Sequence, residues 1–312
     1  MNRLSDFMLP PARSTIAAET DALFNFINVV SLILLVGITL TMVYFVFKYR
    51  RKSEDETTPL ITHHAGLEIT WSVIPLILVL FVFIWGFRGY MSHSNPPSDA
   101  YEVRVVGTSW LWNFHYENGY VSTNELHVPA GRPVRLVMSS DDVIHSFYVP
   151  DFRIKRDVLP NRYTQVWFEA PEPGESVVFC TEYCGTAHSQ MMADLIVHEE
   201  EEFEEWLAGA NTIDEDMDPV ELGRQLVSRQ GCTACHSSDG SAGVGPTFQG
   251  VFGHDVTLSD GSTVTADENY IRESILEPNA KIVEGYQPVM PTFSQLNDRQ
   301  IDAIIEYIKT IE

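Results

Sequence analysis

Residues 180–191 read Cys-Thr-Glu-Tyr-Cys-Gly-Thr-Ala-His-Ser-Gln-Met, and residues 232–236 read Cys-Thr-Ala-Cys-His. Together these two stretches contain all 4 cysteines of the chain. The first offers two thiolates, an imidazole and a thioether, a soft ligand set that suits copper better than magnesium or calcium. The second has the spacing of a c-type heme attachment site, in which two thiols reach the heme vinyl groups and the adjacent histidine ligates the iron. Two redox metals in one chain predict electron transfer.

Composition limits the number of domains and the kind of partner. A chain of 312 residues has room for two or three compact units. Its net charge is -23, from 43 acidic and 20 basic residues, which argues against a nucleic-acid partner. The charge favours a basic protein surface as partner, and keeping a secreted domain soluble is an equally good explanation. Heme is attached to such a motif outside the cytoplasm, where disulfides are common. Because the two motifs use every cysteine, we expect the thiols to be ligands rather than disulfides.

Two apolar runs are long enough to cross a hydrocarbon core of about 30 Å. They extend over residues 24–47 and 71–90, and Trp71, Trp85 and Tyr90 lie near the ends of the second, where aromatic rings prefer the membrane interface. The loop between them begins with four basic residues, Lys48, Arg50, Arg51 and Lys52. Positive charge near the membrane predicts a cytoplasmic loop, with both termini on the other side.

Two alternatives for the first apolar run are weaker. It is longer than the roughly 7–15 residues of a signal-peptide core, and basic residues follow it, so we expect a retained anchor. A pair of buried helices in a soluble protein would have to be apolar on every face, which is uncommon in a small domain.

The segment after residue 98 changes to short β-branched and aromatic runs between Gly and Pro turns, which predicts a small antiparallel sandwich or barrel. The predicted strands are Tyr101–Val106, Pro133–Met138, Tyr163–Glu169, Ser176–Phe179 and Asp194–Val197. An acidic stretch from residue 199 predicts a short solvated helix and then a linker. Three amphipathic segments, Val220–Gln230, Tyr270–Leu276 and Asp298–Ile311, predict a helical C-terminal domain.

These patterns predict a multidomain membrane protein. We expect an extracytoplasmic N-terminal segment over 1–22, a transmembrane hairpin over 23–92, a β-sandwich over 99–198, an acidic linker over 199–218 and an all-α heme domain over 219–312.

The copper hypothesis needs one more imidazole. Thiolates of Cys180 and Cys184 can bridge two copper ions, but the stretch itself supplies one histidine. His145 follows a predicted strand at the end of the sandwich where such loops gather, and it is our candidate. A tetrahedral zinc site with two cysteines and two histidines stays open at this point, as does a disulfide. Met191, a poor zinc ligand, favours copper.

Three stretches carry a family resemblance. Residues 107–114 read Gly-Thr-Ser-Trp-Leu-Trp-Asn-Phe, residues 145–147 read His-Ser-Phe, and His145 stands 35 positions before Cys180. With the 180–191 spacing, this pattern resembles cytochrome c oxidase subunit II over both apolar runs and the sandwich. The part after the linker resembles class I cytochromes c. The whole resembles a subunit II with a fused cytochrome.

The resemblance implies a cupredoxin-like domain with a mixed-valence dinuclear copper centre (CuA). Cys180 and Cys184 would bridge the two ions, and His145 and His188 would supply nitrogens. Met191 would be the weak axial ligand of one copper. The implied weak ligand of the other is the main-chain carbonyl of Glu182.

Three further roles are implied by the same resemblance. The Glu182 side chain matches a ligand of a magnesium ion shared with the catalytic subunit, and a carboxylate suits that hard ion. Trp110 resembles the exposed aromatic at which the family receives electrons, although an ordinary packed aromatic would look the same. Glu68 matches a carboxylate at the entrance of a proton pathway; a glutamate beside a membrane span is otherwise solvated.

The heme would be held by Cys232, Cys235 and His236, with a sixth ligand from a methionine loop. Met290 in Pro-Val-Met-Pro resembles that loop, and we favour it over His254. A thioether ligand raises the reduction potential relative to two imidazoles. The ring nitrogen of His236 is expected to bond to the carbonyl of Pro246, a contact that orients a ligating imidazole.

The implied function is that of an electron-transfer subunit of a proton-pumping terminal oxidase, not catalytic alone. Electrons would pass from a cytochrome, a copper protein or another respiratory complex through heme c to copper, then to the catalytic subunit that reduces oxygen to water. The implied location is a bacterial inner membrane, with both redox domains outside. Two other classes stay open: a membrane-anchored copper-delivery protein, and a free-standing carrier that donates to another copper enzyme, such as nitrous oxide reductase.

Overall fold

The structure is a computed structural model, and it describes residues 8–57, 60–210 and 217–312. The described chain forms a helical hairpin, a β-sandwich and a C-terminal helical domain, which confirms the predicted fold class. Parts of the predicted N-terminal segment, residues 1–7, and of the predicted linker, residues 211–216, lie outside the described residues.

The hairpin consists of α1 (Thr15–Lys48) and α2 (Ala65–Ser94). Ser14 caps α1 by accepting a hydrogen bond from the Ala17 N–H at 3.1 Å. Both helices are long and apolar enough to cross a membrane, and their apolar side chains are exposed. Each is longer than its predicted span: 34 residues of α1 extend about 51 Å. The polar ends continue the helix beyond the apolar run.

Both outer ends of the hairpin contact the sandwich. Asp21 near the start of α1 pairs with Arg153 at 2.9 Å, and each side chain is only 9% exposed. Arg153 also donates to the Pro10 carbonyl at 2.6 Å. At the end of α2, the Ser92 carbonyl accepts a hydrogen bond from the Trp167 indole at 3.1 Å. The sandwich is therefore fixed to both helices.

The sandwich has two five-stranded sheets, ordered β3-β2-β1-β5-β8 and β4-β10-β9-β6-β7. The strands are β1 (Tyr101–Thr108), β2 (Leu111–His115), β3 (Val121–Thr123), β4 (Glu125–Pro129), β5 (Val134–Ser140), β6 (His145–Val149), β7 (Ile154–Val158), β8 (Thr164–Phe168), β9 (Gly174–Cys180) and β10 (Met192–His198). The sheets are mixed rather than purely antiparallel as predicted, since β1 runs parallel to β5 and β4 to β10. The chain crosses to the second sheet at β4 before it returns in β5, which brings parallel strands together.

The core lies between the two sheets and ends at His145. Inward residues alternate along the strands, as in β5, where Val134, Leu136 and Met138 are completely buried. Trp112 is also completely buried, and its ring centre lies 5.9 Å from that of His145. Gly107 lies against both rings: a Cβ there would stand 3.0 Å from His145 and 3.2 Å from Trp112, so a larger residue would require these rings to shift.

The acidic stretch after β10 forms the predicted short helix, α3 (Glu200–Ala210), but this helix packs on the sandwich instead of being solvated on all sides. Its glutamates are exposed, but Phe203 is buried and its ring centre is 5.2 Å from that of Tyr101. Trp206 stacks on His127 at 4.0 Å. Apolar residues three apart on one helical face are the signal that the sequence prediction overlooked.

The C-terminal domain contains α4 (Pro219–Arg229), α5 (Glu268–Leu276) and α6 (Asp298–Lys309). Helices α4 and α6 cross at Gly223, where a Cβ atom would collide with the Ala303 carbonyl. The predicted all-α domain has one addition, a ribbon of β11 (Asp255–Thr257) and β12 (Thr263–Thr265). Three-residue strands are too short to show a period in the sequence.

Candidate copper and heme sites

The sulfur-rich loop, residues 180–191, joins β9 to β10. Cys180 ends β9, His188 begins a 3₁₀ turn, and Met191 directly precedes β10. The Cys180 N–H donates to the Met191 carbonyl at 3.1 Å, which closes the base of the loop. Because both ends leave neighbouring strands, the donors of the loop are folded over one end of the sandwich.

Five side chains named from the sequence meet there. The sulfurs of Cys180 and Cys184 are 3.8 Å apart. His145 Nδ1 lies 3.9 Å from Cys180 Sγ, and His188 Nδ1 lies 3.4 Å from Cys184 Sγ. Met191 Sδ is 3.7 Å from Cys184 Sγ. His145 is completely buried and begins β6, whereas the sequence suggested a loop after a strand.

The donor chemistry fits copper. A disulfide requires a sulfur–sulfur distance of about 2.0 Å, whereas these thiols are free and 3.8 Å apart. A tetrahedral zinc site would use two thiolates and two imidazoles and leave out Met191, whose sulfur points into the same cluster. Thioether and thiolate donors suit copper. Each imidazole faces a different sulfur, as two bridged ions require.

Glu182 supplies another donor through its backbone. Its carbonyl oxygen lies 3.3 Å from Cys180 Sγ, whereas the Met191 sulfur contacts the other thiol, Cys184. The Glu182 side chain is exposed and directed away from the core. The residue thus presents a carbonyl to the cluster and a free carboxylate to the surface.

The two thiols differ in acidity. Burial raises the pKa of Cys180, but the contacts of its sulfur with His145 and with the backbone outweigh burial and lower the pKa overall. Burial and the neighbouring Cys180 thiolate raise the pKa of Cys184. One thiolate is therefore favoured in the metal-free protein, and cations are needed to stabilise both.

Sequence reasoning missed Asp142. Its Oδ1 atom accepts a hydrogen bond from His145 Nε2 at 2.8 Å. Burial opposes ionisation, but hydrogen bonds from Ser109 and His145 lower the pKa of Asp142 to about 2. An acid three residues before a histidine is too common a spacing to reveal this contact.

Trp110 differs from the expectation of an exposed aromatic, since it is only 8% exposed. Its indole N–H donates to the Cys184 carbonyl at 3.2 Å. Gly185 lies against the ring, where a Cβ would stand 2.9 Å from Trp110 Cζ2. Trp110 is therefore packed beneath the sulfur-rich loop rather than presented to solvent.

A largely apolar cavity in the C-terminal domain fits a heme. Cys232, Cys235, His236 and Met290 all lie in its wall, whereas His254 does not. The His236 Nδ1–H donates to the Pro246 carbonyl at 2.6 Å, as the sequence predicts, so Nε2 is left for the iron.

The heme cavity borders the sandwich, which sequence reasoning could not anticipate. Leu111 of β2 forms part of the cavity wall. A Cβ on Gly231 would stand 2.6 Å from the Thr123 side chain. Val244 and Val289 of the C-terminal domain pack against the buried residues of the sandwich. Leu111 directly follows Trp110, so the heme cavity and the sulfur-rich loop are joined by two adjacent residues.

Glu68 lies far from both sites. It is exposed in the first turn of α2, and its Oε1 accepts a hydrogen bond from the His64 N–H at 2.9 Å. An acid in this position complements the helix dipole, so Glu68 stabilises the start of α2.

Three family models match the chain. The transmembrane domain of cytochrome c oxidase subunit II matches residues 3–88, the periplasmic domain of that subunit matches residues 120–199, and cytochrome c matches residues 220–312.

Individual relatives agree with these matches. Cytochrome c oxidase subunit 2 of Alkalihalophilus pseudofirmus is 30% identical over 303 residues, covering 92% of this chain and 86% of the relative. The subunit 2 of Synechocystis is 29% identical over 249 residues, covering 64% of this chain and 75% of the relative. A crystal structure of the periplasmic domain of subunit II of cytochrome oxidase (CoxB) of Bradyrhizobium japonicum is 28% identical in sequence. The match covers 37% of this chain and 96% of the crystallised chain, with a TM-score of 0.36.

Proposed function

The chain belongs to the cytochrome c oxidase subunit II family, and from this premise we propose how it works. It passes electrons from an external donor through its own heme c to a dinuclear copper centre. It then passes them to the catalytic subunit of a proton-pumping oxidase that reduces oxygen to water. As a subunit of an oxidoreductase with two apolar helices and redox domains of periplasmic type, it works at a membrane.

The observation that carries the proposal is the contact between the two sites. Leu111 lines the heme cavity. The residue directly before it is Trp110, whose indole N–H donates a hydrogen bond to the Cys184 carbonyl. Covalent bonds and one hydrogen bond thus connect the heme wall to a bridging thiol. A donor that is part of the same chain also has an effective concentration that can reach about the millimolar range.

The chain's residues divide the work of holding the metals. The copper pair would be held by the thiolates of Cys180 and Cys184, the imidazoles of His145 and His188, the Met191 thioether and the Glu182 carbonyl, consistent with the distances above. When bound, the copper pair and the heme supply one-electron redox chemistry. In this proposal Trp110 relays electrons within the chain and does not accept them directly from the external donor, because its side chain is buried.

The heme is held in a corresponding way. The heme would be attached through Cys232 and Cys235, and His236 and Met290 would be the ligands of its iron, consistent with their places in the cavity wall. The Pro246 carbonyl fixes the orientation of the His236 ring. A thioether ligand keeps the reduction potential high, which suits a carrier that donates to copper.

The remaining roles involve partners. The exposed Glu182 carboxylate binds a magnesium ion at the boundary with the catalytic subunit, and Glu68 stands at the entrance of a proton pathway. The net charge of -23 favours a basic external donor, such as a cytochrome c, a copper protein or another respiratory complex. The membrane is the bacterial inner membrane, with both redox domains outside.

Metal analysis of the intact oxidase tests the proposal. We expect two copper ions and one heme c per chain, with the near-infrared band of a mixed-valence pair. Stoichiometric zinc, or a bond between Cys180 and Cys184, would contradict it.

A variant pair sharpens the result. Met191→Leu should change the copper spectrum, whereas Met192→Leu should not, because Met192 is 44% exposed and its side chain lies on the other face of the sheet. Equal spectra for Met191→Leu and wild type would remove the thioether from the proposed ligand set. A copper-delivery protein would bind copper without the mixed-valence band.

A further inference from the structure

One carboxylate joins the copper ligand His145 to the turn that carries Trp110. Asp142 lies between β5 and β6, and its Oδ1 atom accepts hydrogen bonds from His145 Nε2 at 2.8 Å and from the Val143 N–H at 2.6 Å. Its Oδ2 atom accepts from the Ser109 N–H at 2.7 Å and from the Ser109 hydroxyl at 2.5 Å. Oδ1 therefore binds the segment that contains His145, and Oδ2 binds the turn that contains Ser109.

The Ser109 contact extends to the sulfur-rich loop. Ser109 directly precedes Trp110, whose indole bonds to the Cys184 carbonyl at 3.2 Å. The Cys180 and Cys184 sulfurs lie 3.8 Å apart, and Cys180 faces His145. The contacts thus form a closed circuit that begins and ends at His145. Among the described residues that form this circuit, Asp142 is the only one with a carboxylate.

The geometry at His145 defines which ring atom is available. Because Nε2 carries the proton that it donates to Asp142, the lone pair of Nδ1 is left to face Cys180. His145 is completely buried, whereas the Asp142 side chain is 30% exposed at the edge of the site. A carboxylate bonded to a ligating imidazole fixes its tautomer and makes it a stronger donor.

We propose that Asp142 is a positioning residue that orients His145 for copper and, through Ser109, holds the Trp110 turn in register with the sulfur-rich loop. The inference rests on the proposed function. A stronger imidazole donor and a nearby negative charge both stabilise the more oxidised copper pair, so Asp142 lowers its reduction potential.

Asp142→Asn tests the contact without changing the size of the side chain. Asparagine keeps one acceptor oxygen, so it can serve His145 or Ser109 but not both. Asp141→Asn is the matched control: it removes the same charge at the adjacent exposed position, while the bonds of His145 and Ser109 go to Asp142. Ser109→Ala removes only the hydroxyl bond and leaves the His145 contact in place.

The intact, copper-loaded oxidase is compared by redox titration of the near-infrared band and by electron paramagnetic resonance. Asp142→Asn should raise the copper potential, alter the copper hyperfine pattern and weaken copper affinity by about 10-fold or more. Asp141→Asn should shift the potential less and keep the hyperfine pattern. Ser109→Ala should keep the copper potential and slow the oxidation of heme c by copper.

Equal potentials and hyperfine patterns in Asp142→Asn and Asp141→Asn would overturn the proposal, because charge alone would then account for the effect. If Asp142→Asn fails to load copper, nitrogen NMR of His145 in the metal-free protein decides: an unchanged tautomer would overturn the proposal and a changed one would support it. A wild-type protein without a mixed-valence band would instead overturn the copper assignment itself, so the two failures are distinguishable.

Discussion

Gly231 lies so close to Thr123 that a Cβ atom added to the glycine would stand 2.6 Å from Thr123 Cγ2. It would also meet Leu111 at 3.4 Å. Gly231 directly precedes Cys232, the first cysteine of the heme motif. The heme attachment site is therefore in direct contact with the sandwich that carries the sulfur-rich loop.

Gly231→Ala should push the two domains apart and slow electron transfer from heme to copper while the heme stays attached. Gly231 has a φ of 71°, so the substitution also strains the backbone. Gly261→Ala controls for strain: its φ is 83°, and no atom of the described residues lies within 4 Å of its Cβ position. Flash-induced oxidation of heme c gives the rate. An equal loss in both variants would attribute the effect to strain.

Met290→Ala should keep the heme, because Cys232 and Cys235 still attach it, but should lower its reduction potential. Met217→Ala is the control, since Met217 packs against the same domain core but does not line the cavity. A redox titration of the heme absorbance measures both. A potential that responds to His254→Ala instead of Met290→Ala would reassign the sixth ligand.

Asp21→Asn should destabilise the junction between hairpin and sandwich. Its pair with Arg153 is only 9% exposed on each side, and removing one partner of a buried pair costs about 3–5 kcal/mol. The exposed pair of Glu221 and Arg224 is the control, and Glu221→Gln should leave stability unchanged. The loss of stability is measured by the melting temperature of the purified oxidase and by the rate of protease cleavage after α1. Similar melting of both variants would contradict the prediction.

Acid should weaken the attachment of α3 to the sandwich, because His198 of β10 lies 2.8 Å from His127 and its ring stacks on Trp206 of α3. Burial and the adjacent His127 lower the pKa of His198 below its ordinary 6.5, so the folded state takes up this proton less readily than the unfolded state. The stability is complete above about pH 6.5 and falls as the pH drops toward the lower folded pKa. Melting temperature against pH measures it, with His198→Gln as the variant that should flatten this part of the curve. An identical curve for the variant would show that other groups cause the acid loss.

The candidate metal-binding side chains could be found from the sequence because their pattern is local. Cys180, Cys184, His188 and Met191 occupy one loop, and the heme motif occupies five consecutive residues. The long alternating strands β1 and β5 were also predicted, since hydrophobic alternation is visible over seven or eight residues. By contrast, β7 contains Lys-Arg-Asp at its centre and shows no apolar period.

Contacts between distant segments could not be predicted. Asp142 and Ser109 are 33 residues apart, and their hydrogen bond depends on how β1 and β5 pair. Leu111 resembles an ordinary strand residue, and only the docking of the C-terminal domain turns it into a wall of the heme cavity. The family resemblance implied an exposed Trp110, whereas the structure buries this side chain. A sequence shows an aromatic residue but not the residues that cover it.

The contacts between the helical hairpin and the sandwich restrict how the two can move relative to each other. Arg153 forms an ion pair with α1, and Trp167 forms a hydrogen bond with α2. These two contacts oppose rotation of the sandwich relative to the two helices. The height and tilt of residues 180–191 above the lipid are then properties of one polypeptide. For the proposed electron transfer, the position of this loop relative to an acceptor in the membrane is therefore set by α1, α2 and the sandwich of this chain.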